Sequence, residues 1–198
     1  MKFSINHQER YSRGELLLRT LFGVIYIGIP HGFLLFFVGL WAGVLQFLAF
    51  FAVLFTGKFP KAMFNYQVGL ITWVLRLNAR LLNLSDGYPA FGLKAVDKNV
   101  VFEIEYPEKL SRGHLLLRFF FGYFYILIPH GFILFFRQLW ALILIFLSWW
   151  SVLFTGKYPK GFFAWIEGTL RWQTRVLIYT MFMTDKYPAF TGESLADE

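Results

Sequence analysis

The chain has 198 residues, 57% hydrophobic and only 16% charged, where soluble domains average about 25% charged. It carries 26 phenylalanines, more than a compact soluble core of this size uses, so lipid or a large partner has to cover apolar surface. There are no cysteines, which excludes disulfides, thiolate metal sites and cysteine nucleophiles. The net charge is +7; the basic residues flank apolar runs and form no stripe. That placement speaks against nucleic acid and for anionic headgroups, each worth roughly 1 kcal/mol per basic residue.

The N-terminus stays polar through Arg13 and has no apolar stretch with a small-residue cleavage site. The expectation is a chain inserted by its own helices. Lys2-Phe3-Ser4-Ile5 alternates with period two and predicts a short strand. Ser12 and Glu15 have the spacing of a capping box, which starts a helix. The apolar stretch from Glu15 to Phe55 is too long for one crossing of a ~30 Å core. A tight turn at Val38-Gly39 would divide it into a transmembrane hairpin, with Trp41 just past the turn. Thr56-Gly57-Lys58-Phe59-Pro60 supplies stop signals. A third helix, Lys61 to Leu84, has Asn65, Thr72, Arg76, Arg80 and Asn83 on one face. It reads as amphipathic and interfacial.

The whole pattern then repeats at an offset of 99 residues without a gap. Ser12-Arg13-Gly14 recurs as Ser111-Arg112-Gly113, Ile29-Pro30-His31-Gly32-Phe33 as Ile128-Pro129-His130-Gly131-Phe132, and Leu54-Phe55-Thr56-Gly57-Lys58 as Leu153-Phe154-Thr155-Gly156-Lys157. This is a domain duplication, 1–99 and 100–198. The second copy opens on a strand at Val100 to Tyr106, expected to pair with the first. Its hairpin turn would fall at Arg137-Gln138, before Trp140. The expected fold is an all-α membrane protein of two tandem repeats, each a short strand, a transmembrane hairpin and an interfacial helix, with four transmembrane helices in total. The basic residues gather on the side of the termini, and the positive-inside rule makes that side cytoplasmic. Arg19 and Arg118 would snorkel back to it.

Leu153-Phe154-Thr155-Gly156-Lys157-Tyr158-Pro159, Arg171-Trp172-x-x-Arg175-Val176 and Thr184-Asp185-x-Tyr187-Pro188-x-Phe190 resemble a widespread bacterial membrane family catalogued only as a domain of unknown function. The first copy is looser, with Thr72-Trp73 and Asp86-Gly87 at the matching places. The resemblance implies a bacterial inner membrane and supplies no activity.

His31 and His130 are the candidate ligand residues. Each follows a proline in an apolar helix, and a pseudo-two-fold axis could bring them together on haem or a metal. The alternative is structural. Proline frees a carbonyl, glycine permits close packing, and the histidine bonds a neighbouring helix. Thr56-Gly57-Lys58 and Thr155-Gly156-Lys157 lack the glycine and hydroxyl of a phosphate loop. Lys58, Arg76, Arg80, Lys157, Arg171 and Arg175 are candidates for lipid headgroup or partner contact. Gly28, Gly32, Gly39 and Gly43 have the spacing of helix-packing glycines and occur in the first copy, where the second has Leu127, Gln138 and Leu142 in three of those places. The expected function is a non-enzymatic membrane scaffold or accessory subunit, meeting lipids and other membrane subunits or itself, with no catalytic residue, metal or obligatory cofactor. The alternative is a binder of haem, quinone or lipid centred on His31 and His130.

Overall fold

The computed structural model describes residues 1–195; the end of the second repeat at 198 lies outside them. Strand β1 (Lys2–Ile5) is followed by α1 (Arg13–Gly23), a π-helical turn (Val24–Gly28) and α2 (Ile29–Thr56), then by α3 (Lys61–Leu81). The second copy repeats the order with β2 (Val100–Glu103), α4 (Arg112–Gly122), a π turn (Tyr123–Leu127), α5 (Ile128–Thr155) and α6 (Lys160–Thr180).

The expected hairpins do not form. α1, the π turn and α2 make one unbroken helix of 44 residues, Arg13–Thr56, and Arg112–Thr155 makes another. Both are long and apolar enough to cross a membrane. The helix runs through Arg137-Gln138 because neither side chain needs water. Arg137 lies on the indole of Trp165, 4.2 Å from the ring centre, and donates to Thr169 Oγ1 at 2.9 Å. Gln138 accepts from Gln173 at 3.0 Å. Trp41 and Trp140 therefore sit partway along continuous helices, not beside turns. The π turn absorbs the proline: Ile29 N–H reaches back five residues to Val24, and the second copy does the same from Ile128 to Tyr123. Each long helix stops at a left-handed glycine, Gly57 and Gly156, both at φ 71°, as the glycine punctuation predicts.

Ser12 caps the first long helix through the Glu15 N–H. The reciprocal half of the expected box is absent. Asp86 takes the Ser12 N–H at 2.7 Å, and the Glu15 carboxylate turns to Gly87 N–H and Arg19. Asp185 does the same for Ser111 at 2.6 Å, and the Ser111 side chain accepts from the His114 N–H as Ser12 does from Glu15. Arg19 and Arg118 do not snorkel. They are buried and paired with Asp86 and Asp185.

The copies meet about a local two-fold axis. β1 and β2 pair antiparallel, with Phe3 opposite Phe102, which are equivalent positions of the repeat. Arg13 donates to the Phe154 carbonyl at 2.9 Å, and Arg112 to the Phe55 carbonyl at 2.7 Å. Tyr11 N–H meets Gly156 O as Leu110 N–H meets Gly57 O. The long helices thus run antiparallel, each one's last turn tied to the other's first. α3 and α6 pack against the long helices and the ribbon, and one core joins both copies. They are the most enclosed helices, not exposed interfacial ones.

Only a narrow seam of each long helix faces the protein. In α2 its line is His31, Leu35, Val38, Ala42, Leu45, Ala49 and Val53, in steps of three or four, the spacing of a packed helix seam. The opposite face is exposed and apolar along the full length, from Leu21 and Phe22 through Phe36 and Phe47 to Phe55, and from Phe120 through Phe136 to Phe154.

Candidate functional site

The residues that carry the repeat's motifs converge on the two histidines. Pro30 has no N–H, so the Tyr26 carbonyl one turn earlier loses its usual helical partner. Tyr88 donates its hydroxyl to that carbonyl at 2.9 Å, and Tyr187 donates to the Tyr125 carbonyl at 2.8 Å. His31 and His130 are fully buried. Trp73 N–H donates to His31 Nδ1 and Trp172 N–H to His130 Nδ1, each at 2.9 Å. An indole only donates, so Nδ1 accepts and the ring proton sits on Nε2. Phe91 stacks on His31 and Phe190 on His130, with centroids 3.9 Å apart in both. In the second copy Nε2 faces the Tyr187 hydroxyl at 3.2 Å. Burial raises the pKa of the Tyr88 and Tyr187 phenols, which keeps them protonated as donors.

The hydrogen-bond and ring partners described for each histidine come from its own copy. A bis-histidine site needs two free imidazole nitrogens facing one iron. Here the indole bond to Nδ1 leaves the ring proton on Nε2, the nitrogen an iron would take, and a phenylalanine covers a ring face; Nε2 of His31 is buried with no hydrogen-bond partner. The geometry makes each histidine the centre of a latch joining the long helix, the following helix and the Tyr-Pro-Ala-Phe loop. No cluster of three or more histidine or acidic side chains able to hold a metal occurs among the described residues.

The arginines read as headgroup contacts are turned inward. Arg76 is fully buried and donates to the Gly92 and Ala95 carbonyls; burial lowers its pKa. Arg175 holds the Thr191 and Glu193 carbonyls in the same way. Arg80 pairs with Asp97 at 2.7 Å. Arg171 donates to Phe3 O and, at 2.7 Å, to Gly192 O. These loops lie so close that a Cβ on Gly69 would meet the Leu93 carbonyl at 2.8 Å, and one on Gly168 the Gly192 carbonyl at 2.9 Å. Lys58 and Lys157 remain exposed beside their helix ends.

The glycines divide. A Cβ on Gly28 would meet only its own helix, the Gly23 carbonyl at 3.7 Å and the Val24 side chain. On Gly32, Gly39 or Gly43 it would find nothing within 4 Å. The close packing expected of Gly32 is therefore absent.

The family model described as "Domain of unknown function (DUF4389)" matches residues 13–92 and again 112–192. The chain belongs to this family. Each DUF4389 match opens at the arginine that ties a long helix to its neighbour and closes at the glycine whose carbonyl a buried arginine holds. The ribbon strands lie outside both matches. No curated protein and no solved structure matches the chain.

The sequence reading missed two pairs of residues: Asp86 and Asp185, which clasp Arg19 and Arg118, and Gly69 and Gly168, which admit the loops. All four recur at the repeat offset, and that recurrence was the available signal.

Proposed function

We propose that this DUF4389 chain is a non-enzymatic integral membrane scaffold or accessory subunit. It lies with both long helices immersed in one leaflet of a bacterial inner membrane, its ribbon, termini and basic residues toward the cytoplasm. The exposed apolar surface of the two 44-residue helices carries this reading. Such a helix is ~66 Å long. Crossing a ~30 Å core would demand a tilt of about 60°, where ~20° is usual. A helix ~10–12 Å wide fits within one leaflet. Charge supports the same arrangement. Arg10, Arg13, Lys157 and Lys160 gather at one end of the antiparallel pair, and Lys58, Lys61, Lys109 and Arg112 at the other. A crossing would put one cluster outside, against the positive-inside rule. A two-fold axis along the membrane normal keeps both inside. The motif histidines and arginines bond to indoles, carboxylates and backbone carbonyls in latches and loop clamps, which supports a structural role over a catalytic one. Lys58 and Lys157 are placed for anionic headgroups.

The test is cysteine labelling in a chain that has no cysteine of its own. The protein should stay with membranes through alkaline carbonate extraction. Lys58→Cys and Lys157→Cys should react with an impermeant maleimide from the same side, in inside-out vesicles only. Trp41→Cys and Trp140→Cys should stay unlabelled from either side. Release by carbonate, or labelling of the two lysine positions from opposite sides, overturns the arrangement.

A further inference from the structure

Two facing positions differ between the copies in a correlated way. In the second copy Gln138 on α5 and Gln173 on α6 hydrogen-bond at 3.0 Å. Their equivalents in the first copy are Gly39 on α2 and Val74 on α3. The cavity at the glutamine pair measures about 200 Å³. Across the local two-fold axis, the cavity at Gly39 and Val74 measures about 470 Å³. That is in the range of small-molecule sites, which run about 300–1,000 Å³. Its walls include Leu35, Leu70, Leu170 and Leu177, with the Asn78 and Gln173 amides at the edge. The rim residues Val74 and Leu177 are exposed, as are Phe36 and Leu40 beside the opening on α2. The mouth is therefore continuous with the apolar surface of the long helix.

We propose that the Gly39–Val74 cavity is a binding site for a single long apolar chain drawn from the bilayer, either the acyl chain of a phospholipid or an isoprenoid tail. This rests on the membrane placement above, which supplies the source of the chain. An open apolar cavity facing lipid fills with hydrocarbon, because water there would have too few polar partners. The second copy shows what narrows such a cavity: two glutamines that face each other and hydrogen-bond across it. The first copy has Gly39 and Val74 in their places. The Asn78 amide in the lining suits a carbonyl or hydroxyl near the head of the chain; Gln173 beside it is already bonded to Gln138.

The experiment reconstitutes the full chain in phosphatidylglycerol-containing vesicles with a trace of phospholipid bearing a diazirine near the acyl terminus. Cross-links are mapped by mass spectrometry. The wild-type chain should cross-link on the outer surface, at Phe33 and Phe47, and in the cavity, at Leu35 and Leu177. The double variant Gly39→Gln, Val74→Gln imports the second copy's pair and should lower cavity cross-linking about tenfold while leaving the surface signal unchanged. If that variant does not fold, Gly39→Leu serves, since a side chain there meets no neighbour within 4 Å of its Cβ. Absence of surface cross-links would defeat the membrane reading itself. Surface cross-links without cavity cross-links, or a cavity signal indifferent to the variants, would overturn the cavity proposal alone. Adding an unlabelled polyprenol separates the sources: displacement of the cavity signal assigns an isoprenoid tail, and its persistence an acyl chain.

Discussion

An imidazole shut between an indole N–H and a stacked phenyl ring is costly to disturb, because its ring nitrogen has no water to fall back on. Trp172→Phe keeps the aromatic volume but leaves His130 Nδ1 without its donor. The expected loss is about 1–3 kcal/mol, read as a lower apparent Tm in detergent; Trp73→Phe should behave alike through His31. An unchanged Tm in both would show that the latch contributes nothing. The sequence presents these residues clearly, since Ile-Pro-His, Trp and Tyr-Pro-Ala-Phe each recur. Their convergence was not legible, because Trp73 lies 42 residues from His31 and no local pattern pairs them. The arginines were misread for a related reason. Arg76 and Arg175 are held by backbone carbonyls, and a carbonyl leaves no mark in a sequence.

At the scale of elements, the helix–loop contacts depend on glycine at particular places and are indifferent to it elsewhere. A methyl on Gly168 would lie 2.9 Å from the Gly192 carbonyl and 3.0 Å from Arg137 Nη2. Gly168→Ala should cost about 1–3 kcal/mol from overpacking and make the loop before Gly192 more susceptible to limited proteolysis. Gly32→Ala, with nothing near its Cβ, should leave stability unchanged or raise it slightly, as the better helix former. Equal effects at the two positions would remove the packing argument. Strand pairing and helix ends followed from alternation and from Ser12, Gly57 and Gly156, which act locally. The break expected at Arg137-Gln138 failed because charge inside an apolar run reads as a turn only when nothing receives it. Trp165 and Thr169, 28 and 32 residues on, receive it here.

For the whole molecule, the interface between copies is built from reciprocal contacts. Tyr11 meets Gly156 as Leu110 meets Gly57, and Arg13 serves Phe154 as Arg112 serves Phe55. Such a surface is self-complementary. Residues 100–198 expressed alone should therefore associate in pairs, with β2 pairing its own copy around Phe102. Size-exclusion chromatography with light scattering in detergent measures this. A folded monomer would show that the interface needs features particular to the first copy. The duplication itself was plain from the gapless offset. Its symmetry was hidden, because a repeat gives the same evidence whether the copies stand side by side or face each other.

The mismatch between Gly39–Val74 and Gln138–Gln173 has a bearing on stoichiometry. A pair of separate, identical chains would carry two large cavities or two plugs, since every residue appears twice. Joining the copies in one polypeptide releases them from that identity: a substitution in one no longer obliges the other. One half can stay narrow and keep its polar pair while the other stays wide. The fused chain thus carries the widened form of this cavity in one half and the narrowed form in the other, a ratio that symmetric association of identical subunits does not reach.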